Sequence, residues 1–495
     1  MQEFDERLIV VRPAAEVTLK SKRTRDKFMR SLRSSVLDAL QRNGVRCRIR
    51  RRPSRLFVYL TEGPSAAAEE VLSRVFGVGS YSPVRAVCEA DPETIARVGH
   101  EAFADLVAGR SFAVRVKRLG QHTFGSMDVA RELGAALRPY GPVDLDDPQF
   151  EVRVEIINDR AYLFEERLPG IGGLPAGTES RALSLISGGY DSAVSSWQIL
   201  RRGVELDFVL FNLGGAAYER MVAQVVKVIC DRWCFGGRPS LFVVDFAAVL
   251  ENLRGNARED YWQVLLKRRM LAAASLLAER LGSEALVTGE SIGQVSSQTL
   301  SNLRAIEDAA SLPVLRPLVG MDKRDIMREA ELVGTAALSA QVREYCALTS
   351  LRPVVAADPL VVAEEERKLD DSLLRQGVLG AKELKLRTLD QADLMLPYLF
   401  VDEVPVGSVV IDCQTERQHR AWHYPGARHL EAAQILSSPR DLDKEARYLL
   451  YCAQGMQSAQ AAEVLQQLGY EAYSFRGGTA ALRRLAEREE RAEPA

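Results

Sequence analysis

Apolar and polar positions divide the chain into four regions with different periodicities. In residues 1–60, apolar runs typical of strands, at Leu8–Val11 and Leu56–Leu60, flank a helical pattern at Thr24–Leu40. Residues 61–168 mix helical and strand patterns, which fall at Ala66–Phe76, Pro92–Val107, Ser111–Lys117, Asp128–Leu137, Phe150–Ile157 and Ala161–Glu166. The patterns predict two small α+β units in the amino-terminal part of the chain.

The third region, residues 169–385, alternates short apolar strands with amphipathic helices. It opens on a Pro/Gly-rich linker at Leu168–Thr178 and ends on a charged helical pattern at Val362–Leu374. Strand patterns occur at Leu183–Ile186, Leu206–Phe211, Leu241–Asp245 and Glu284–Thr288. This alternation predicts a doubly wound parallel sheet, with ligands bound at the carboxyl ends of its strands.

The last region, residues 386–495, is a second α/β unit. Val409–Asp412, Tyr448–Cys452 and Tyr473–Phe475 have strand patterns, and Ser458–Leu468 has a helical one. The charged tail, Glu487–Ala495, is expected to fray. The fold class is therefore a multidomain α/β chain with two α+β domains before two α/β domains.

Composition and charge narrow the functional classes. The chain has 495 residues, 47% of them hydrophobic, and a formal net charge of −2, which gives no overall sign of a polyanionic partner. Residues 1–60 nevertheless hold 16 Lys and Arg against 6 Asp and Glu, an excess of ten (16 − 6). Such a segment is either a nucleic-acid footprint or an ordinary solvated face.

Apolar run lengths, the start of the chain and the spacing of the cysteines indicate the expected compartment. No apolar run reaches the roughly eighteen residues that span a bilayer, and the acidic start has no signal-peptide core. We therefore expect no membrane partner. Seven widely spaced cysteines do not form a secreted disulfide framework, and the Cys230/Cys234 pair alone does not predict a metal site. The expected compartment is the reducing cytoplasm.

A glycine-rich turn joins the first strand of the third region to its helix. Ser187-Gly-Gly-Tyr-Asp-Ser192 has paired glycines that let backbone N–H groups approach phosphate oxygens. The helix that begins near Asp191 directs its positive end to the same place. The turn lacks a Gly-Lys-Ser/Thr ending, so it is not a Walker P-loop. It predicts a cradle for the pyrophosphate of ATP, against the alternative of a simple tight turn.

Other polar residues of the third region suit a nucleotide. Gly289–Leu300 follows a strand and supplies small residues with Gln294 and Gln298, which could hydrogen-bond a base or ribose. Lys267, in a helix at Asp260–Glu279, and Lys323 could neutralise phosphate. Taken singly, the segment is equally an ordinary polar loop, and each lysine is better explained as an exposed, solvated side chain.

The last region carries a candidate nucleophile. Cys452 ends a buried strand, and a short loop with Gly455 then turns into a helix. Backbone N–H groups of such a loop stabilise a thiolate, which predicts a nucleophile or a carrier of sulfane sulfur instead of a structural cysteine. The hypothesis requires that Cys452 be open to a sulfur donor. Cys346 by itself is an ordinary cysteine.

These motifs resemble known enzyme domains. The Ser187–Ser192 loop resembles that of PP-loop ATP pyrophosphatases, and the Cys452 loop resembles that of rhodaneses. His423-Tyr-Pro-Gly-Ala-Arg-His-Leu430 and Gly477-Gly478 support the second resemblance. Many rhodaneses have an arginine in the loop, whereas this loop has none, so a protein persulfide donor fits better than thiosulfate.

The chain as a whole resembles the tRNA 4-thiouridine synthetases that end in a rhodanese domain. The motifs that carry the resemblance lie, in the family's order, at Glu16–Ser21, Phe76–Val84, Phe112–Gly120, Gly172–Thr178, Ser187–Ser192, Phe211–Gly215, Gly289–Leu300 and Leu315–Lys323. The resemblance implies a ferredoxin-like domain (residues 1–60), a THUMP RNA-binding domain (61–168), a PP-loop adenylation domain (169–385) and a rhodanese-like domain (386–495).

The resemblance also implies roles for individual residues. Contacts to ATP are implied for Leu185, Ile186, Ser187, Gly188, Gly189, Ser192, Lys267, Gly289 and Gln298. Contacts to RNA are implied for Lys20, Arg23, Arg25, Lys117 and Arg118. Asp191 and Lys323 would serve activation through phosphate or Mg²⁺, Cys452 would carry a persulfide, and Cys346 would be its redox partner.

The implied activity is ATP-dependent sulfur transfer to a uridine of tRNA through an adenylated uridine. The family's sulfur source is a cysteine desulfurase, and some members also supply a carrier protein for thiamine thiazole synthesis. Three alternatives stay open: a carrier dedicated to thiamine, a non-catalytic tRNA-binding scaffold, and a different PP-loop RNA enzyme. The sequence also leaves open whether the chain forms a homodimer and whether sulfur moves as persulfide or as hydrosulfide.

Overall fold

The structure is a computed structural model that describes residues 7–340, 342, 353–390, 394, 399–437, 442–453 and 455–492. These residues fall into two units. The first contains residues up to Glu179 with the short segments Arg201–Val204 and Phe235–Gly237, and the second contains the rest of the chain. No helix of the described residues is long and apolar enough to cross a membrane.

The first unit contains two sheets with helices. Its strands are β1 (Arg7–Pro13), β2 (Arg46–Arg52), β3 (Arg55–Glu62), β4 (Val78–Val84), β5 (Ala86–Glu89), β6 (Phe112–Leu119), β7 (Phe150–Ile157), β8 (Arg160–Phe164) and β9 (Leu168–Pro169). Its helices are α1 (Ala15–Thr18), α2 (Lys22–Arg42), α3 (Ser65–Arg74), α4 (Pro92–Val107) and α5 (Ser126–Leu137). The first sheet is antiparallel, in the order β2-β3-β1-β4-β9, and the second has the order β5-β8-β7-β6 with β6 and β7 parallel.

The first sheet extends beyond the expected boundary at residues 60 and 61. β4 pairs with β1, and Val71 and Leu72 of α3 share a core with Leu32 of α2 and Val58 of β3. The expected linker also contributes, because β9 pairs with β4. The apolar pattern alone could not show this, since β4 contains serines and a proline and lacks a continuous apolar run.

The second unit contains the remaining elements. Its strands are β10 (Arg181–Leu185), β11 (Glu205–Asn212), β12 (Ser240–Asp245), β13 (Leu286–Val287), β14 (Val314–Leu315), β15 (Lys382–Lys385), β16 (Phe400–Val401), β17 (Val409–Asp412), β18 (Arg428–His429), β19 (Arg447–Tyr451) and β20 (Glu471–Phe475). Its helices are α6 (Tyr190–Arg201), α7 (Gly215–Trp233), α8 (Ala247–Asn256), α9 (Trp262–Leu281), α10 (Leu300–Glu307), α11 (Lys323–Val333), α12 (Ala336–Ser339), α13 (Pro359–Glu366), α14 (Ser372–Leu379), α15 (Glu416–Ala421), α16 (Ala432–Ser437), α17 (Met456–Gln467) and α18 (Gly478–Ala492).

The larger sheet of this unit has the order β14-β13-β10-β11-β12-β15. The five strands from β14 to β12 are parallel, as the sequence predicts, but β15 is an antiparallel edge strand. The predicted helix at Val362–Leu374 is wrong as one element, because it is divided between α13 and α14. Asp370 accepts a hydrogen bond from the backbone N–H of Ser372, the first residue of α14.

The smaller sheet is fully parallel, in the order β16-β20-β19-β17-β18. β17, β19 and β20 lie where the sequence predicts strands, and α17 follows the strand that ends before Cys452. The expected fraying from Glu487 is wrong for residues 487–492, because α18 continues to Ala492. The parallel strands of both sheets therefore end, on their carboxyl sides, at the loops that carry the candidate chemistry.

Candidate nucleotide pocket and sulfur-carrier loop

A cavity of about 670 Å³ lies at the carboxyl ends of the strands β10, β11 and β13. Much of its wall is apolar and comes from strand ends and from α9, including Phe211, Leu266 and Met270. Polar groups converge on one side. Residues with implied nucleotide or activation roles that line the cavity are Leu185, Ile186, Ser187, Asp191, Ser192, Lys267, Gly289 and Gln298. An apolar cleft with a few convergent polar groups is the usual form of a small-molecule site.

The glycine-rich turn is held in place by its own polar groups. Ser192 Oγ accepts a hydrogen bond from the Ser187 backbone N–H at 3.2 Å and donates one to the Gly189 carbonyl at 3.1 Å. Gly188 has φ of +80°, a conformation that residues with a side chain rarely adopt. Gly188 and Gly189 shape the backbone of the turn and do not line the cavity.

Gly289 brings the end of β13 against the first turn of α6. A Cβ at this position would lie 2.6 Å from the Asp191 carbonyl carbon and 2.7 Å from the Ser192 nitrogen. Such contacts are too short for any residue with a side chain. The absence of a Cβ therefore lets the two walls of the cavity meet next to the turn.

Asp191 and Lys323 form an ion pair beside the turn. Lys323 Nζ lies 2.7 and 3.0 Å from the two carboxylate oxygens of Asp191, and Gln294 Nε2 donates to Asp191 Oδ2 at 2.8 Å. Asp191 is buried, whereas the Lys323 side chain is 43% exposed. Because its side chain is partly exposed, the Lys323 ammonium group can move toward an incoming anion. The Asp191 carboxylate is then left to face another cation.

Glu290 is a buried charge that the sequence analysis missed. It lies 3.1 Å from Lys267 Nζ and 2.7 Å from Arg316 Nε. Burial raises the pKa of Glu290, but the two cations outweigh burial and hold the pKa below its ordinary value. Glu290 thus fixes Lys267 in the cavity wall. In the sequence, its position directly after Gly289 could have indicated a role in the site.

Tyr218 was also missed. Its hydroxyl donates a hydrogen bond to the Ser187 carbonyl at 3.0 Å, and its side chain lines the cavity. It lies in the first turn of α7, three residues after the Phe211–Gly215 motif. The turn is therefore supported by a helix that is not adjacent to it in sequence.

Cys452 directly follows β19 and lies at the amino end of α17. Its Sγ accepts hydrogen bonds from the Ser458 backbone N–H at 3.4 Å and from Ser458 Oγ at 3.5 Å. The first turn of a helix thus directs an N–H group at the sulfur. The side chain is only 3% exposed. The expected access to a donor is not present in this conformation, so the residues around the sulfur must move before it can react.

The other cysteine with an implied role, Cys346, lies outside the described residues. A different cysteine, Cys413, lies beside Cys452: β17 and β19 pair in parallel with Asp412 opposite Tyr451, and the Cys413 N–H donates to the Tyr451 carbonyl at 2.8 Å. Cys413 is buried. Burial, and secondarily the neighbouring Cys452, raise the pKa of Cys413 well above its ordinary value, so it stays a neutral thiol.

Comparison with curated proteins shows similarity along the whole chain. A tRNA sulfurtransferase of Pyrobaculum aerophilum is 38% identical over 475 residues, which cover 94% of this chain and 96% of that protein. Proteins of the same name from Desulfurococcus amylolyticus and Shewanella putrefaciens are each 34% identical, over 95% and 93% of this chain and 97% and 98% of their own. The chain belongs to the tRNA sulfurtransferase family.

Family models match this sulfurtransferase in four consecutive segments. They are the ThiI ferredoxin-like domain (residues 8–82), the THUMP domain (89–165), the thiamine biosynthesis protein ThiI (177–370) and the rhodanese-like domain (401–484). The resemblance and the multidomain α/β fold class are thereby confirmed. The first model extends into β4, in agreement with the sheet.

Solved structures show the same architecture. A 4-thiouridine synthetase in complex with RNA and bound ATP matches the sulfurtransferase chain with a TM-score of 0.68 and 27% identity, over 77% of this chain and 99% of that one. The protein PH1313 from Pyrococcus horikoshii matches with a TM-score of 0.51 at 24% identity, which supports the fold alone.

The residues with implied RNA contacts lie in the first unit of the sulfurtransferase. Lys20 and Arg23 are exposed near the start of α2, and Arg25 follows them on that helix. Lys117 is exposed on β6, while Arg118 is partly buried and donates to Ser126 Oγ at 3.2 Å. The first three residues thus lie at or near the start of α2, and the other two lie on β6 of the second sheet.

An arginine-rich edge strand was not predicted as an element. β2 has the sequence Arg-Cys-Arg-Ile-Arg-Arg-Arg, and it pairs with β3 at the edge of the first sheet. Arg48 and Arg50 lie over the ring of Tyr59, at 5.0 and 5.6 Å from its centroid. Pairing with β3 makes this charged segment a strand, which the apolar pattern could not show.

Proposed function

We propose that this sulfurtransferase uses ATP to transfer sulfur to a uridine of tRNA, which gives 4-thiouridine. The observation that carries the proposal is the cavity. Eight residues with roles implied by the family motifs line one cleft in a chain similar to tRNA sulfurtransferases over almost its full length. The neighbour with bound ATP and RNA supports both ligands.

In the activation step, the apolar wall near Leu185 and Ile186 would take the adenine and the turn at Ser187–Ser192 the phosphates. Lys267 would neutralise charge from the opposite wall. We propose that O4 of the uridine attacks the α-phosphate, which releases pyrophosphate and makes AMP the leaving group. Backbone N–H groups of the turn oppose the charge that develops at the phosphorus.

Mg²⁺ fits this site as a companion of the triphosphate. Asp191 offers one carboxylate, and a magnesium ion in such sites takes one or two carboxylates together with phosphate oxygens and water. Bound there, Mg²⁺ would neutralise phosphate charge. Lys323 is placed to release Asp191 and to follow the phosphates, since its side chain is partly exposed.

In the sulfur step, Cys452 would carry a persulfide received from a cysteine desulfurase. The terminal sulfur replaces the activated oxygen at C4 of the uridine, and AMP leaves. Cys346 would then form a disulfide with Cys452. Among the described residues, the Ser458 N–H supports the role of Cys452, because it donates a hydrogen bond to the sulfur that would accept the persulfide.

A second function is favoured by the match of residues 177–370 to the thiamine biosynthesis protein model. The same Cys452 persulfide could be delivered to a small carrier protein for thiazole synthesis. We place both reactions in the cytoplasm, where reduced thiols regenerate the cysteines. The cavity and its charged residues disfavour the non-catalytic scaffold.

The deciding experiment measures thionucleosides in tRNA by mass spectrometry. The full chain is incubated with unmodified tRNA, ATP, cysteine and a cysteine desulfurase. We expect 4-thiouridine that depends on ATP, no product with Cys452→Ala, and an unchanged yield with Cys47→Ser, a half-buried cysteine of β2. Product formed without ATP, or in full yield by Cys452→Ala, would overturn the proposal.

A further inference from the structure

The rhodanese-like part of the second unit packs on the nucleotide-binding part through two helices. α17 begins next to Cys452, and α7 begins next to the nucleotide cavity. The contact is made by the middle of α17 and the first turn of α7. One end of each helix thus lies at a candidate reactive centre. The contact between the two helices therefore links these centres.

Glu463 of α17 makes the polar contact of this junction. Its Oε1 accepts a hydrogen bond from the Ala216 N–H at 2.9 Å, and its Oε2 accepts one from the Ala217 N–H at 2.7 Å. The N-cap residue of α7 is Gly214, which has no side chain that could accept hydrogen bonds from these amides. A carboxylate from a distant segment therefore does the work of an N-cap, at the positive end of the helix.

The surroundings of Glu463 are closely packed. Glu463 and Gln460 are buried, and Ala217 belongs to the same apolar cluster as Ala459 and Ala462 of α17. A Cβ on Gly215, which has φ of +74°, would lie 3.0 Å from Glu463 Oε2. Burial raises the pKa of Glu463 even though the two amides lower it. The carboxyl is thus removed from water and depends on these two donors.

The junction is connected to both centres by hydrogen bonds. Five residues before Glu463 on α17, Ser458 contacts the sulfur of Cys452. One residue after Ala217 on α7, Tyr218 donates to the Ser187 carbonyl in the phosphate turn. The glycines of the Phe211–Gly215 motif allow α17 to approach at this point. The motif therefore has a use that nucleotide binding alone does not explain.

We propose that Glu463 is a positioning residue, which docks the sulfur-carrier domain on the nucleotide-binding domain so that Cys452 is held within reach of the activated uridine. The inference rests on the proposed function for its consequence in catalysis. Docking makes the meeting of the two centres an intramolecular event, with a rate set by the fraction of docked molecules. Glu463 touches neither ATP nor the reacting sulfur.

The test separates docking from folding and from chemistry. Cys452 is first loaded with persulfide by desulfurase and cysteine, and excess donor is removed. tRNA and ATP are then added, and the single-turnover rate of 4-thiouridine formation is measured. With Glu463→Ala we expect the rate to fall by about tenfold or more, since one buried and one part-buried amide lose their acceptors. Persulfide yield and ATP-dependent pyrophosphate release stay unchanged.

Two further variants sharpen the result. Glu463→Gln keeps the side-chain volume but offers only one acceptor oxygen, so we expect an intermediate rate. Glu487→Ala is the matched control, because Glu487 is an exposed glutamate of the same domain that pairs with Arg483 on α18. Its rate should equal that of the unaltered chain.

Hydrogen exchange provides a readout that is independent of activity. In Glu463→Ala, amides of the first turn of α7 should exchange faster, while amides of the central strands β10 and β11 should not change. Unaltered transfer and exchange, or faster transfer, would overturn the inference. A parallel loss of persulfide loading would show a merely structural role and would also overturn it. If Glu463→Ala shows faster exchange but the unaltered chain makes no 4-thiouridine, the result would contradict the proposed function alone.

Discussion

Asp191 accepts three hydrogen bonds in the cavity, two from Lys323 and one from Gln294. The three residues come from α6, from the loop after β13 and from the start of α11. Asp191 is buried, whereas the Lys323 side chain is partly exposed. If Asp191 serves the activation step as proposed, Lys323 would be the cation that gives way when the carboxylate takes another.

We predict that Asp191→Asn lowers ATP-dependent pyrophosphate release by about 100-fold, because the neutral amide no longer balances a cation beside the phosphates. Persulfide loading on Cys452 should stay normal. Pyrophosphate release is measured with tRNA present and sulfur donor absent. Asp231→Asn is the control, since Asp231 also pairs with a lysine, Lys227, at 2.7 Å on α7. Equal rates for both variants would contradict the assignment.

The sequence predicted cavity-lining residues that carry motif signals and missed residues that only support them. Ser187 and Gln298 could be named because small or amide residues follow strands, and Gly289 because of the family resemblance; their contacts to ATP stay predictions. Tyr218 and Arg316 could not, since a lone tyrosine or arginine has no pattern. Their roles depend on pairings with Ser187 and Glu290 that only the folded chain brings about.

At the scale of elements, a buried ion cluster joins the two sheets of the first unit. Glu155 of β7 lies 2.6 Å from Arg12 of β1 and 2.5 Å from Arg55 of β3, and all three side chains are buried. Burial raises the pKa of Glu155, but Arg12 and Arg55 outweigh burial and lower it overall. The two sheets are therefore joined by charge as well as by apolar packing.

We predict that Glu155→Ala destabilises the first unit by about 3–5 kcal/mol, because two buried guanidinium groups lose their partner. Urea unfolding followed by circular dichroism measures the change. Glu62→Ala is the control, since Glu62 pairs with Arg46 on the surface and should contribute less than about 1 kcal/mol.

The cluster of Glu155 with Arg12 and Arg55 also predicts how the stability of the first unit depends on pH. A carboxyl with a lowered pKa in the folded state stabilises fully above its ordinary pKa and loses that contribution as the pH falls through the folded value. The difference in stability between the unaltered chain and Glu155→Ala should therefore shrink on acidification below the ordinary range of glutamate. A constant difference down to low pH would contradict it.

Elements with regular apolar periodicity were predictable, and those formed by pairing were not. α4 and β7 lie where the sequence places them, because each has a continuous apolar face. β2 and β15 are strands only because β3 and β12 lie next to them. Edge strands rich in charge are typical of sheets that must not pair further.

At the scale of the whole molecule, the chemistry needs two reactive centres and a thiol that resets one of them. The described structure offers Cys413 as a neighbour of Cys452, but burial keeps its thiol neutral, and a neutral thiol is a poor nucleophile. Cys346, outside the described residues, is the alternative that the family motifs imply. Assigning the resolving role to Cys346 or to Cys413 leads to opposite expectations for their alanine variants.

If the persulfide attacks the uridine directly, sulfur bridges Cys452 and C4 until a thiolate attacks the Cys452 sulfur. That attack forms a disulfide and leaves both bonding electrons with the sulfur of 4-thiouridine. If hydrosulfide is released instead, the same thiolate attacks the persulfide, forms the same disulfide and frees HS⁻. A resolving thiol is required on either route.

We therefore predict that, without added reductant, a persulfide-loaded Cys346→Ala chain releases no 4-thiouridine, while Cys413→Ala releases it normally. Free thionucleoside per chain in a single turnover measures this. Direct attack leaves a reducible tRNA–protein adduct in Cys346→Ala, visible on a non-reducing gel, whereas hydrosulfide release leaves a loaded persulfide and free tRNA. Normal turnover by Cys346→Ala would remove its role, and loss of turnover in Cys413→Ala would assign that role to the thiol beside Cys452.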